Sequence, residues 1–161
     1  MRRELTFLGI KISVVVLVLL LVFTLVFGIA RCSDNMMTPS CKDGDIIFFY
    51  RLRKNYEANE MVIVNKDNET QIRRIIGRPG DVVEITERGI IINGYHQQEL
   101  EIFKDTLPYL EGVKFPIMLK EDEYFVLADN REGAKDSRIY GPINEQEVKG
   151  SAMILIRRRG L

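Results

Sequence analysis

The stretch Asp34-Asn35-Met36-Met37-Thr38-Pro39-Ser40-Cys41-Lys42-Asp43-Gly44-Asp45 follows an apolar N-terminal segment and leads into the β-rich run Ile46–Tyr50. Two later stretches answer it. One is Arg73-Arg74-Ile75-Ile76-Gly77-Arg78-Pro79-Gly80-Asp81; the other joins Ala128-Asp129-Asn130-Arg131 to Asp136-Ser137-Arg138-Ile139-Tyr140-Gly141. Pro79-Gly80-Asp81 is turn chemistry: Pro presets φ, Gly supplies the permissive angle, and the Asp side chain bonds nearby backbone. The rest of the chain reads as strands that hold these three stretches together.

Upstream, Ile12 to Ala30 carries no charge and consists mostly of Val, Leu, Ile and Phe. Such a run suffices for a membrane-crossing helix, which needs about 20 residues. Arg2, Arg3 and Lys11 precede it, and Arg31 and Asp34 follow. Positive charge on the leading side favours a cytoplasmic N-terminus and an exported remainder. A cleaved secretory signal would have a shorter core of roughly 7–15 residues. A lipoprotein signal ending at Cys32 is opposed by Arg31, which stands where such sites resemble small-residue boxes. The expected layout is a cytoplasmic tail and anchor over 1–31 and an extracytoplasmic domain over 32–161.

The chain has 161 residues, enough for one modest domain plus the anchor. Its 23 basic and 23 acidic residues balance, with no basic face for nucleic acid. Arg157-Arg158-Arg159 reads as a solvated tail. His96 is the only histidine and has no second ligand at metal spacing, so neither a metal nor a cofactor is expected. Export would permit Cys32 and Cys41 to pair. Cys32 lies at the membrane edge, however, and Cys41 borders an apolar strand, so both are expected as unpaired small residues.

Strands are expected over residues 45–52, 61–65, 70–76, 82–86, 90–93, 123–127 and 151–157, with turns at Asp67-Asn68-Glu69 and Asn93-Gly94. Residues 99–120 are mixed and interrupted by Pro108 and Pro116. Many short strands with Gly, Pro and Asn turns predict a mainly β domain behind a single N-terminal transmembrane helix.

The three quoted stretches, in this order and spacing, resemble the type I signal peptidases, membrane-anchored serine proteases with a Ser/Lys dyad. The resemblance runs from the anchor to about Ile156. It implies a β core over 32–86 and 123–161, a small β cap over 87–122, and a single helical turn near Asn144–Val148. The family's first box reads Ser-Met-x-Pro-Thr, with Gly-Asp a few residues on. Laid on Pro39 and Gly44-Asp45, it puts Met36 at the nucleophile. The second box reads Lys-Arg, two apolar residues, Gly, a variable residue and Pro-Gly-Asp. Laid on Pro79-Gly80-Asp81, it puts Arg73 at the general base.

Those two positions cannot run the dyad. The mechanism needs a hydroxyl and an amine that can be neutral at working pH. A thioether has no proton to lose, and a guanidinium does not give one up in proteins. Removing nucleophile or base costs on the order of a millionfold in turnover, and the two losses overlap. Supporting positions differ as well. Ala134 stands where many relatives steady the lysine with Ser, Asp34 where some bind the oxyanion with Ser, and Ala128 where the family has Gly. The bordering scaffold residues Pro39, Gly44-Asp45, Arg74, Gly77 and Gly141 stand.

The resemblance implies a substrate groove along Asp34, Met37, Pro39, Ile72 and Ile75, and a structural network of Asp129, Asn130, Asp136, Ser137 and Arg138, with charge-assisted bonds among Asp129, Asp136 and Arg138. Arg73 either binds a partner's carboxylate or a backbone carbonyl in the groove, or it snorkels or pairs with Asp34 or another carboxylate across the vacated site. Met36 and Met37 either pack or act as adaptable fillers at a recognition surface. Ser33 and Ser40 with Lys42, Lys54 and Lys66 read as turn and surface residues rather than a relocated dyad.

Signal-peptidase-like proteins with lost dyads resemble those that assist sortase-built pili in Gram-positive cocci. The implied role is binding of exported precursors, pilin-type included, at the outer face of the plasma membrane without cleavage. The partners implied are that membrane, the precursor and a sortase assembly system. An active signal peptidase I is the rival reading, and a structural protein with a vestigial groove is a third.

Overall fold

The computed structural model describes residues 2–99, 102 and 104–157. Helix α1 spans Arg2–Val26, and its large apolar side chains from Phe7 to Leu25 are exposed. Its segment Thr6–Val26 is 21 residues long with mean hydropathy 2.8, long and apolar enough to cross a membrane.

The helix ends four residues before the apolar run does. Phe27–Arg31 is strand β1, not the last turn of the anchor. The reason is pairing: β1 lies antiparallel to β2 (Ile46–Tyr50), with Gly28 opposite Phe49. A Cβ on Gly28 would sit 2.2 Å from the Phe49 ring, so only glycine allows this approach. Arg51 fastens the junction, its amide donating to the Val26 carbonyl at 2.9 Å and its Nε to the Phe27 carbonyl at 2.9 Å.

The remaining strands are β3 (Met61–Lys66), β4 (Glu69–Gly77), β5 (Val82–Thr86), β6 (Gly89–Ile92), β7 (Tyr95–His96), β8 (Ile117–Met118), β9 (Glu123–Leu127), β10 (Ile143–Asn144) and β11 (Val148–Ile156). A short helix α2 (Ser137–Tyr140) and a 3₁₀ turn (Glu145–Glu147) complete the described chain. A seven-stranded sheet has the order β1-β2-β11-β3-β4-β9-β10, and a four-stranded sheet the order β7-β6-β5-β8. The fold is therefore mainly β behind one apolar helix. Strand β5 belongs to the smaller sheet, so that sheet starts ahead of residue 87.

Local chemistry explains the strands. Asp67 and Asn68 take positive φ values of 53° and 64°, the mirror-image turn that closes tight hairpins, and β3 returns as β4. Asn93 and Gly94 do the same between β6 and β7. Tyr124, Val126 and Ile75 pack in one core cluster, while Phe125 and Leu127 pack in another with Val83 and Ile85. Strand β9 is thus covered on both faces, which is why its run is continuously apolar. A third cluster gathers Ile47, Ile63, Ile72, Met37, Cys32 and Cys41.

Strand β11 crosses the body between β2 and β3 and bulges on both sides. At Gly150, φ is 155°, and a Cβ would lie 2.2 Å from the Tyr50 carbonyl oxygen. Gly150→Ala is expected to cost on the order of 1–3 kcal/mol, read from denaturant unfolding of the full chain in detergent.

Tyr56 gives a pH signature. Its phenol is pushed up to about 12, chiefly by burial and then by Glu145. The unfolded chain releases this proton near pH 10, so the contribution to stability is complete below about pH 10. It is lost as pH rises through about 12. The thermal midpoint should fall across that alkaline window, and less steeply in Tyr56→Phe.

Candidate active-site cleft

The segment between β1 and β2 forms the first wall of the site. It has no regular structure and is held by short-range bonds. Cys32 donates to the Asp45 carbonyl at 2.9 Å and Gly44 to the Cys32 carbonyl at 2.9 Å. The Met36 amide donates to Asp34 Oδ1 at 2.9 Å, and the Asp43 amide to Asn35 Oδ1 at 3.1 Å. The expectation of two unpaired cysteines is overturned: Cys32 and Cys41 form a disulfide, with Cα atoms 6.6 Å apart. The backbone turns between them and brings both side chains into one core cluster, which sequence position alone does not show.

The second wall is β4. Arg74 shares a face with Ile72 and reaches the loop after β9: its Nε and one terminal nitrogen donate to the two Asp129 oxygens at 2.7 and 2.6 Å. The same guanidinium donates to Ser40 Oγ at 2.9 Å and to the Asn59 carbonyl at 2.8 Å. Arg73, one position earlier, points to the opposite face. It is 2% exposed. Its Nε and one terminal nitrogen donate to the Lys135 carbonyl at 3.2 and 2.8 Å, and the other terminal nitrogen to the Ile72 carbonyl at 2.6 Å. Arg73 therefore does not pair with Asp34, whose carboxylate is turned to the Met36 amide. The carbonyls win because the loop after β9 crosses directly over the Arg73 side chain.

The third wall is that loop. Asp136 caps α2, accepting from the Arg138 amide at 3.1 Å and pairing with the Arg138 guanidinium at 2.9 and 2.8 Å. It also accepts from the Ala128 amide at 3.2 Å. Ser137 Oγ accepts from the Val126 amide at 3.0 Å, and the Asn130 amide donates to the Met36 carbonyl at 2.8 Å. The expected single network of Asp129, Asp136 and Arg138 is in fact two units. Asp129 pairs with Arg74, and Asp136 with Arg138, because the two carboxylates leave the loop toward different strands.

These walls enclose a cleft of about 410 Å³ that both Met36 and Arg73 line, with Ser33, Asp34, Glu69, Gln71 and Lys135. The two positions that the signal peptidase boxes assign to nucleophile and base thus meet in one place. Of the expected groove residues, Asp34 lines the cleft and Pro39 is exposed at the surface. Met37, Ile72 and Ile75 are instead core, at 1%, 7% and 0% exposure. Ile72 and Ile75 lie on opposite faces of β4, each covered by its own cluster, so neither is free to line a groove.

Ser33 and Lys135 also line the cleft. Among the described residues Ser33 makes no hydrogen bond, and the Lys135 ammonium is half exposed, reaching toward Asp67 at 3.5 Å and Glu69 at 3.9 Å. Ser40 is spoken for by Arg74. No hydroxyl–amine pair is assembled among the described residues.

Several supporting contacts carry no signal of their own in the sequence. Tyr140 donates to Gln71 Oε1 at 3.4 Å below the cleft; burial raises its phenol above the ordinary range, and Arg73 opposes that. Arg131 is buried and pairs with Glu99, an ion pair between the cap and the loop. Burial pulls its guanidinium down, and Glu99 opposes. Arg138 lies over the Tyr109 ring at 4.4 Å and donates to the Arg131 carbonyl at 2.8 Å.

Asp136→Ala leaves the Arg138 guanidinium buried beside Arg131 without its carboxylate. The expected loss is about 3–5 kcal/mol, read as a lower denaturation midpoint. Glu57→Ala removes only the exposed partner of Arg78 and should leave the midpoint in place.

Known proteins agree with this architecture. The family described as signal peptidase, peptidase S26, matches residues 5–156. Signal peptidase I P of Bacillus subtilis subsp. natto is 30% identical, over 89% of this chain and 83% of that protein. Signal peptidase IB of Staphylococcus aureus is 28% identical, over 93% of this chain and 88% of that protein. A solved structure of a signal peptidase I from Enterococcus faecalis V583 superposes with a TM-score of 0.51 at 24% identity, covering 61% of this chain and 97% of that one, a likeness of fold. With the family matched almost end to end and its boxes folded around one cleft, this chain belongs to the signal peptidase family, peptidase S26.

Proposed function

We propose that this chain is a membrane-anchored signal peptidase relative that binds extended segments of exported precursors in its cleft and does not cleave them by the dyad mechanism. The observation that carries the reading is the pair at the cleft: Met36 at the nucleophile position, and Arg73 with its donors on the Lys135 and Ile72 carbonyls. A clamp of that kind holds a loop and cannot accept a proton.

Strand addition is the binding mode that the edge of β4 favours. Strand β3 pairs with β4 over Glu69 to Arg74, whereas β9 begins its pairing only at Arg74. The other edge of Glu69–Ile72 therefore borders the cleft with no strand beside it among the described residues. An extended segment laid there would gain main-chain hydrogen bonds whatever its side chains, the Ile72 carbonyl apart, which Arg73 already holds. Basic residues Arg2, Arg3 and Lys11, in the part of the helix ahead of its charge-free run, support an outward-facing domain. The disulfide supports the same side, since such bonds persist in oxidising compartments. The resemblance to dyad-less relatives makes a pilin-type precursor, handed to a sortase system, the partner class.

The rival reading, an active signal peptidase I, draws on Ser33, a hydroxyl that lines the same cleft. One experiment separates the two. The full chain in detergent is incubated with a precursor peptide carrying an Ala-x-Ala site. Turnover on the order of a millionfold below an active relative is expected, that is, no product. Cleavage at the site that vanishes in Ser33→Ala would establish the protease instead.

A further inference from the structure

We propose that the Cys32–Cys41 disulfide is a modification installed on export by a thiol–disulfide oxidoreductase, and that it holds the first wall of the cleft in its binding shape. The inference rests on the outward placement of the domain given above. The bond closes the ends of Ser33–Ser40, the segment that carries Ser33, Asp34 and Met36 into the cleft. No strand or helix stiffens that segment. Apart from Met37, which is 1% exposed, its side chains are half-buried or exposed, so little packing holds it. Ring closure is then the covalent restraint on its conformation, added to the hydrogen bonds of Arg74 with Ser40 and of Asn130 with Met36.

The two cysteines are 2% and 0% exposed. An oxidant cannot reach them in the finished domain. The bond therefore forms before the loop settles on the core, while the residues just past α1 emerge from the membrane. The chemistry is an exchange. One cysteine thiolate attacks the oxidoreductase's disulfide, forming a mixed disulfide and expelling one of its sulfurs as thiolate. The second cysteine thiolate attacks the mixed disulfide at the first cysteine's sulfur. The Cys32–Cys41 bond forms, and the oxidoreductase leaves as the dithiol with both electrons and, after protonation, both protons.

The test takes the full chain from membranes of producing cells, acid-quenched and alkylated before purification. No alkylation is expected without reductant, and both cysteines should alkylate after reduction in denaturant. Free thiols in the quenched sample would overturn the proposal. Full oxidation in cells stripped of exported thiol oxidases would overturn the enzymatic step. Hydrogen exchange in detergent then compares wild type with the Cys32→Ala, Cys41→Ala double variant. The amides of residues 41 and 44 should exchange at least about tenfold faster in the variant, with β3, β4 and β9 unchanged. Equal exchange would remove the wall-holding role. Neither readout involves a peptide, so a failure of precursor binding would count against the proposed function alone.

Discussion

The Arg74–Asp129 pair is the point at which the three stretches of this chain meet. Two parallel hydrogen bonds of 2.7 and 2.6 Å join β4 to the loop after β9. The same guanidinium takes hold of Ser40 in the first wall and of the Asn59 carbonyl ahead of β3. Guanidinium geometry suits this task, because its donors form a planar fork that can serve several acceptors at once. The Asp129 side chain is 1% exposed, so the charge needs that fork to be buried at all. Everything that lines the cleft is positioned relative to this junction.

Its neighbour shows how one strand carries two histories. Arg73 and Arg74 are adjacent, so they face opposite sides of β4. Arg74 keeps the scaffold arrangement. Arg73 is the residue that the resemblance sets at the proton-acceptor position, and its hydrogen bonds tie the strand to the Lys135 carbonyl. A guanidinium fits here because its several donors satisfy the carbonyls of Lys135 and Ile72. Tyr140 and Gln71 finish the floor beneath it. The restraints on the larger sheet and its loops lie in Arg74, Asp129, Asp136 and Arg138, none of which depends on the side chains at Met36 and Arg73.

Much of this was legible from residues alone, for reasons that differ by element. Asp67-Asn68 and Asn93-Gly94 announce their hairpins because few residues tolerate positive φ. Residues 124–127 announce a doubly covered strand by their unbroken apolar run. Strand β1 was hidden because its residues continue the apolar composition of the helix, and only its partner β2 distinguishes them. The disulfide was hidden because pairing depends on how the chain turns between Cys32 and Cys41. At the cleft, box spacing brought Met36 and Arg73 together on paper, and they do share a cavity. It could not say which neighbours turn inward: Met37, Ile72 and Ile75 belong to the core, and the acceptor for Arg73 is a main-chain oxygen that no side-chain pattern encodes.

The junction between α1 and β1 has a mechanical consequence. Helix passes into sheet without a spacer, and Arg51 locks the transition from the far end of β2. Once the helix is seated in a lipid layer, the body has no tether on which to swing. The cleft then rides at a set elevation over the lipid surface, like a gauge on a fixed post.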